Sequence, residues 1–252
     1  MESDKVPEKI IIKQFDEMLD CLFKSIQKNK SLLQNTKYTH EQSISHRIAC
    51  DFEIAMLSNK TFSNLIVDCE YSKHGENPKQ YRIDLRTLCE TDRENKVIDN
   101  KIEKIKNYYK RKNNKITEDR LKEEICNKYF RPDIILHKRG NDNFNILAIE
   151  IKKNYRDITF DKIKLKVLTG LQYNYKIGLS LALKKHNEYK PTFTFYVQED
   201  YYKCFIAKVN TLKDYIQSAI INIFVVVNNQ GKIEYLEEED YIKYSQEKGE
   251  KC

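Results

Sequence analysis

Arg131-Pro132-Asp133-Ile134-Ile135-Leu136-His137, then a short polar link and Asn145-Ile146-Leu147-Ala148-Ile149-Glu150-Ile151-Lys152-Lys153, is the stretch around which the chain is built. Both halves are blocks of β-branched and apolar residues bounded by turn formers, the pattern of short buried strands. The link, residues 138–144, holds Gly140, Asn141, Asp142 and Asn143 and suits a hairpin loop. Residues two apart in a strand share a face, so Glu150 and Lys152 point one way while Ile149 and Ile151 point the other. Antiparallel pairing across the loop predicts that Asp133 lies beside Glu150. Two carboxylates gathered with an ammonium are costly unless something binds there. A divalent cation such as Mg²⁺, which takes hard oxygen ligands, is the obvious occupant.

Pro132-Asp133, sixteen intervening residues and Glu150-Ile151-Lys152 together resemble the PD-(D/E)XK nuclease superfamily. The resemblance implies an α/β fold of the restriction-endonuclease-like kind, a mixed central sheet flanked by helices. It implies that Asp133, Glu150 and the backbone carbonyl of Ile151 hold Mg²⁺, with Mn²⁺ able to substitute, and that Lys152 activates or orients the attacking water. In that family a carboxylate on the first core helix often faces the metal, and Glu41 matches that position. Glu70, at a predicted strand end, is a further candidate carboxylate, and a second metal becomes feasible if either joins. The short pattern (Asp/Glu)-x-Lys occurs four times, at Glu94, Asp99, Glu150 and Glu188, but only the Glu150 copy follows an apolar strand-like run. Pro-Asp occurs once. The pattern looks most like uncharacterised bacterial members of the superfamily, a likeness that brings no substrate with it.

The chain has 252 residues, room for one large domain or one domain with appendages. Six Gly and four Pro argue against a glycine-rich phosphate loop or a proline-rich linker. The polar start, Met1-Glu2-Ser3-Asp4-Lys5, is unlike a secretory signal. The most apolar run, residues 219–227, is nine residues long and interrupted by Asn222, well short of the roughly 20 needed to span a bilayer. Seven scattered cysteines form no Cys-x-x-Cys pair and read as reduced thiols. The expectation is a cytoplasmic protein without structural zinc.

The net charge of +7 is unevenly spread: residues 101–140 carry thirteen Lys/Arg against six Asp/Glu. A surplus of that size beside the candidate site suits a polyanion, with affinity falling as salt rises. The plain alternative is a solvated helical face. Within it, Tyr108-Tyr109-Lys110-Arg111-Lys112-Asn113-Asn114-Lys115 mixes bases with aromatics, which suits phosphate contact and base stacking. Lys110, Arg111 and Lys112 are therefore candidate nucleic-acid contacts. Lys164, on the helix after the Glu-x-Lys strand, is another, though a solvated lysine is the simpler expectation.

The resemblance implies a single nuclease-like domain over 1–252, and apolar spacing places its elements. An N-terminal helix occupies 1–36, and the first core helix and strands 40–87, with strands at 64–71 and 81–86. A basic helical insertion follows at 88–130. The catalytic hairpin and remaining core fill 131–235, with a helix at 159–169, strands at 177–183, 193–198 and 221–228, and a helical segment near 211–219. An acidic and polar tail, solvated from Glu237 to Asp240, closes the chain at 236–252. The amphipathic first helix either completes this core or supplies a homodimer interface.

The function expected is metal-dependent hydrolysis of phosphodiesters, with DNA the preferred substrate and partner. RNA or a cyclic oligonucleotide is the alternative substrate. A catalytically idle module that binds nucleic acid or protein is the rival from another class.

Overall fold

The computed structural model describes residues 8–29, 31, 40–58, 62, 64–69, 73–74, 77–78, 89, 91–139, 141–153, 158–170, 173–183, 191–215, 219–229 and 232–247. The expected strand at 81–86 and Glu70 lie outside them. Helix α1 (Glu8–Lys28) buries Phe15, Met18, Leu19, Leu22, Phe23 and Ile26 at three- and four-residue spacing, so one stripe faces inward. It lies against helices α2 (Glu41–Leu57) and α6 (Glu199–Tyr215). The described part of the first helix's stripe, from Phe15 to Ile26, therefore belongs to the chain's own core.

The remaining elements follow in chain order. Strand β1 (Ile66–Cys69) and a two-stranded ribbon, β2 (Lys73–His74) with β3 (Asn77–Pro78), precede helices α3 (Asp92–Arg111) and α4 (Glu118–Tyr129). Thr91 starts α3 with a reciprocal capping box to Glu94, and Thr117 accepts from Arg120 N–H to start α4. Next come β4 (Ile134–Lys138), β5 (Asn141–Lys152), α5 (Thr159–Thr169), β6 (Ile177–Ala182) and β7 (Thr192–Gln198). After α6 the chain ends in β8 (Ile220–Asn229), β9 (Lys232–Glu237) and helix α7 (Glu238–Glu247).

Among the described residues, seven strands form one mixed sheet in the order β1-β4-β5-β6-β7-β8-β9. β1, β4 and β5 pair antiparallel to one another in turn, while the β5–β6 and β7–β8 pairs are parallel. The parallel β5–β6 pair requires a crossover, and α5 supplies it. One face of the sheet, carrying Ile149, Ile151, Leu179 and Phe195, packs against α1, α2, α6 and Tyr241 of α7. The other, carrying Ala148 and Tyr196, packs against α3, α4 and α5. Because side chains alternate, Glu150 shares the second face with Ala148. Among the described residues no helix is long and apolar enough to cross a membrane.

Three expectations need correction. The link between β4 and β5 is only residues 139–140, since Lys138 pairs with Asn141; register shifts on either side of His137 absorb the mismatch as a bulge. Helix α6 begins at Glu199, directly after β7, rather than near residue 211. The acids near the C-terminus are exposed as expected at Glu237, Glu239 and Asp240 but are not a tail: Glu238, Glu239 and Asp240 open α7, which buries Tyr241 and Ser245. Carboxylates there complement the positive end of the helix dipole.

Candidate active site

The site lies where the β4–β5 ladder ends. Ile134 faces Ile149, so the next pair outward is Asp133 and Glu150, which project from the same face. Asp133 N–H donates to the Ile149 carbonyl at 3.0 Å, and Asp133 Oδ2 accepts from Ile151 N–H at 2.6 Å. A strand residue directs its N–H and C=O to the same edge. The Ile151 carbonyl therefore points with that N–H toward Asp133, beyond the last β4 pairing. Lys152 points to the opposite edge, where its carbonyl accepts from Leu183 N–H at 2.8 Å.

Glu150 forms the floor of the site, with a side chain 0% exposed. Helix α5 roofs it. Lys164 Nζ lies 2.7 Å from Glu150 Oε2 and 3.7 Å from Asp161 Oδ1, and donates to the Arg131 carbonyl at 3.1 Å. Asp161 and Lys164 are three residues apart, so they share a helix face. Neither oxygen of Glu150 has a hydrogen bond of good geometry, and Asp161 Oδ2 also lacks one. Lys152 Nζ stands 3.8 Å from Asp161 Oδ2 and 3.5 Å from Glu41 Oε2. Glu41 begins α2 on the other side of the sheet and reaches round the strand end, where Oε1 accepts from Lys153 N–H at 2.9 Å. Lys101 of α3 is near enough for its charge to be felt with those of Asp161, Lys164 and Lys152, and burial holds its ammonium below the usual lysine range.

This crowding shifts the acids. Burial pushes Glu150 well above the ordinary carboxylate range; Lys164 opposes the rise, and Asp133 and Asp161 add to it. Burial also raises Asp133, against the Ile151 N–H bond that favours its charged form. Asp161 is raised by burial, with Lys164 and Lys152 opposing. For Lys152 burial pulls downward, but Asp161, Glu41, Asp133 and Glu150 outweigh it and raise the ammonium. Lys152 therefore stays protonated through the neutral range and cannot abstract a proton there.

The residues fit a hard divalent cation. Two carboxylates that lack hydrogen bonds or sit at the ladder end, Glu150 and Asp133, converge with one backbone carbonyl, all oxygen donors. Among the described residues no three His, Cys, Asp or Glu side chains are grouped so as to ring an ion by themselves. Mg²⁺ is accommodated without such a ring, since it is held by one or two carboxylates and keeps waters or substrate phosphate as its other ligands.

The structure thus gathers Glu41, Asp133, Glu150, Ile151 and Lys152. Lys110, Arg111 and Lys112 stand exposed at the far end of α3, away from the cluster. Lys164 is corrected from a solvated lysine to a buried partner of Glu150, its side chain 7% exposed. Asp161 is the functional candidate that sequence reasoning missed. Its signal was the i,i+3 spacing to Lys164 on a helix next to the Glu-x-Lys strand. Compared with known proteins, the chain matches no family model, no curated protein and no solved structure.

Proposed function

We propose that this chain is a metal-dependent phosphodiesterase of the restriction-endonuclease-like kind, acting on nucleic acid and on DNA first. One observation carries the proposal: the β4–β5 register sets Asp133 opposite Glu150 at the open end of the ladder, on the face that carries Lys152. The element order supports it, since a helix follows the Glu-x-Lys strand and a carboxylate from the first core helix, Glu41, reaches the site.

When bound, a divalent cation lowers the pKa of an attacking water and stabilises charge growing on phosphate oxygens. Asp133, Glu150 and the Ile151 carbonyl would hold it. Lys152, kept as an ammonium, would orient the nucleophile and neutralise the phosphoryl group as negative charge accumulates. Glu41 and Asp161 brace Lys152 from two sides, at 3.5 and 3.8 Å. Glu41 also pins the strand end through Lys153 N–H.

A cleavage panel tests the proposal. Duplex DNA, single-stranded DNA, structured RNA and cyclic oligonucleotides are offered with Mg²⁺, Mn²⁺ or EDTA. Asp133→Ala and Glu150→Ala are expected to abolish metal-dependent cleavage while nucleic-acid binding survives. Lys152→Ala is expected to lower the rate about 10²- to 10³-fold, the usual loss for one charge-stabilising group, with metal affinity little changed. Near wild-type activity in all three variants would sink the assignment.

One observation favours the rival, a catalytically idle binding module. Lys164 Nζ already satisfies the charge of Glu150 without any metal. A calorimetric Mn²⁺ titration decides between them, because the idle module takes up no ion.

A further inference from the structure

Helix α3 has a stripe that the fold leaves outside its core. Ile98 and Ile105 are buried, with Ile102 packed beside them. Next to that apolar face run Lys101, Lys104, Tyr108 and Arg111, at spacings of three, four and three residues, so they line one side of the helix. Lys101 is the inner end. Its Nζ lies 4.3 Å from the Tyr129 ring centroid and 5.1 Å from that of Phe160, the residue before Asp161 on α5. From Lys101 to Arg111 the helix rises about 15 Å, the reach of a few nucleotides.

Charge and exposure point outward together. Residues 101–115 hold seven Lys/Arg and a single acid, Glu103, which is not on the stripe. Tyr108 is 55% exposed, the most open aromatic ring among the described residues. It is braced on its own helix by Tyr109, edge-on at 5.6 Å, and by Lys112, whose Nζ lies 5.5 Å from the ring centroid. A solvated face needs lysines but has no use for an exposed ring among them. A polyanion carrying flat bases uses both. In a duplex each base is stacked between its neighbours, so such a ring finds a partner only on an unpaired base.

We propose that the Lys101–Lys104–Tyr108–Arg111 stripe is a track that leads a single-stranded polynucleotide to Asp133 and Glu150, with one base stacked on Tyr108. The proposal rests on the nuclease reading of that site and names its substrate as single-stranded. The stripe offers cations for phosphates and a ring for a base, with nothing aimed at the sugar. The track is therefore indifferent to deoxyribose and ribose.

The test measures fluorescence anisotropy of labelled oligomers with the whole chain in EDTA, so that metal-dependent cleavage does not intervene. The probes are a 15-residue oligodeoxythymidylate, an oligouridylate of equal length and a blunt DNA duplex. Both single strands are expected to bind within a few-fold of each other and about tenfold tighter than the duplex. Tyr108→Ala should weaken the single strands about tenfold and leave the duplex unchanged, while Tyr108→Phe keeps wild-type affinity. Lys104→Ala with Arg111→Ala should reduce the slope of log K against log salt by about 1.4, two phosphate contacts at ~0.7 each. Unchanged oligothymidylate affinity in Tyr108→Ala, or a duplex bound as tightly as the single strands, overturns the track. If that happens while Asp133-dependent cleavage persists, the nuclease reading stands without it. If stacking is found and no substrate is cleaved, the track stands and the nuclease reading falls.

Discussion

At the scale of single residues, the decisive contact is Lys164 on Glu150. A buried ion pair brings little net stability, but removing one partner strands the other, typically at about 3–5 kcal/mol. Lys164→Met replaces a competing cation with an apolar chain of similar length. Mn²⁺ affinity at neutral to alkaline pH is expected to rise about tenfold, some 1.4 kcal/mol, read by calorimetry. Lys164 lowers the Glu150 pKa, so its loss raises that group further. The protonated carboxyl must then shed a proton to bind metal, and Mn²⁺ affinity in the variant should fall more steeply than in wild type as pH drops. The core triplet was legible in the sequence because strand alternation alone sets Glu150 and Lys152 on one face and turn residues locate Asp133 opposite. Asp161 and Lys164 were not, for a physical reason. The i,i+3 spacing puts the two charges on one helix face, but whether that face is solvated depends on which side of the sheet the helix packs, which the spacing does not encode.

At the scale of elements, α5 holds Asp161 and Lys164 over Glu150, and its seat is narrow. Gly178 on β6 lies beneath it, and a Cβ there would stand 3.0 Å from Thr169 Cγ2 and 3.3 Å from Leu165. Gly178→Ala therefore requires Thr169 and Leu165 of α5, the helix that carries Asp161 and Lys164, to give by a few tenths of an ångström. The expected cost is about 1–3 kcal/mol in urea unfolding, with cleavage falling more than stability alone explains. On the opposite face, Asp51 ties α1 to α2. Lys28 Nζ is 2.6 Å from Asp51 Oδ1 and Asn29 donates to Oδ2 at 2.8 Å. The Lys28 hydrogen bond holds Asp51 below the ordinary carboxylate range, against burial, with Asn29 assisting. A carboxyl lowered in the folded state contributes stability that is complete above its unfolded pKa and lost as pH falls through the folded one. Asp51→Asn should therefore be less stable than wild type at neutral pH, with the gap closing in the acid range below the ordinary carboxylate pKa. Thermal melts across pH 2–7 check this. Helix α6 escaped sequence reading for a reason of its own: β7 runs into it without a turn residue, so nothing punctuates the change from period two to the Tyr202, Phe205 and Val209 stripe.

At the scale of the whole molecule, the sheet separates two kinds of labour. The face under α1, α2, α6 and α7 is an apolar core, while the face under α3, α4 and α5 carries the charged cluster at one end. The paired strands and the crossover were readable from apolar blocks. The ordering of all seven strands depends on contacts far apart in sequence. Five of the cluster's side chains, Asp133, Glu150, Lys152, Asp161 and Lys164, lie within one contiguous stretch, whereas Glu41 joins through a bond to Lys153 that spans 112 residues. Closing a long loop is entropically costly and tends to come late in folding. The chemical unit is thus assembled from near neighbours, and Glu41 fastens it from afar. In a pulsed hydrogen-exchange refolding experiment, the Lys153 amide should gain protection after that of Ile151, whose acceptor is Asp133. Glu41→Ala should leave Ile151 protected and Lys153 open. The order in which these two amides close would record the moment the N-terminal helices lock onto a site that is otherwise already formed.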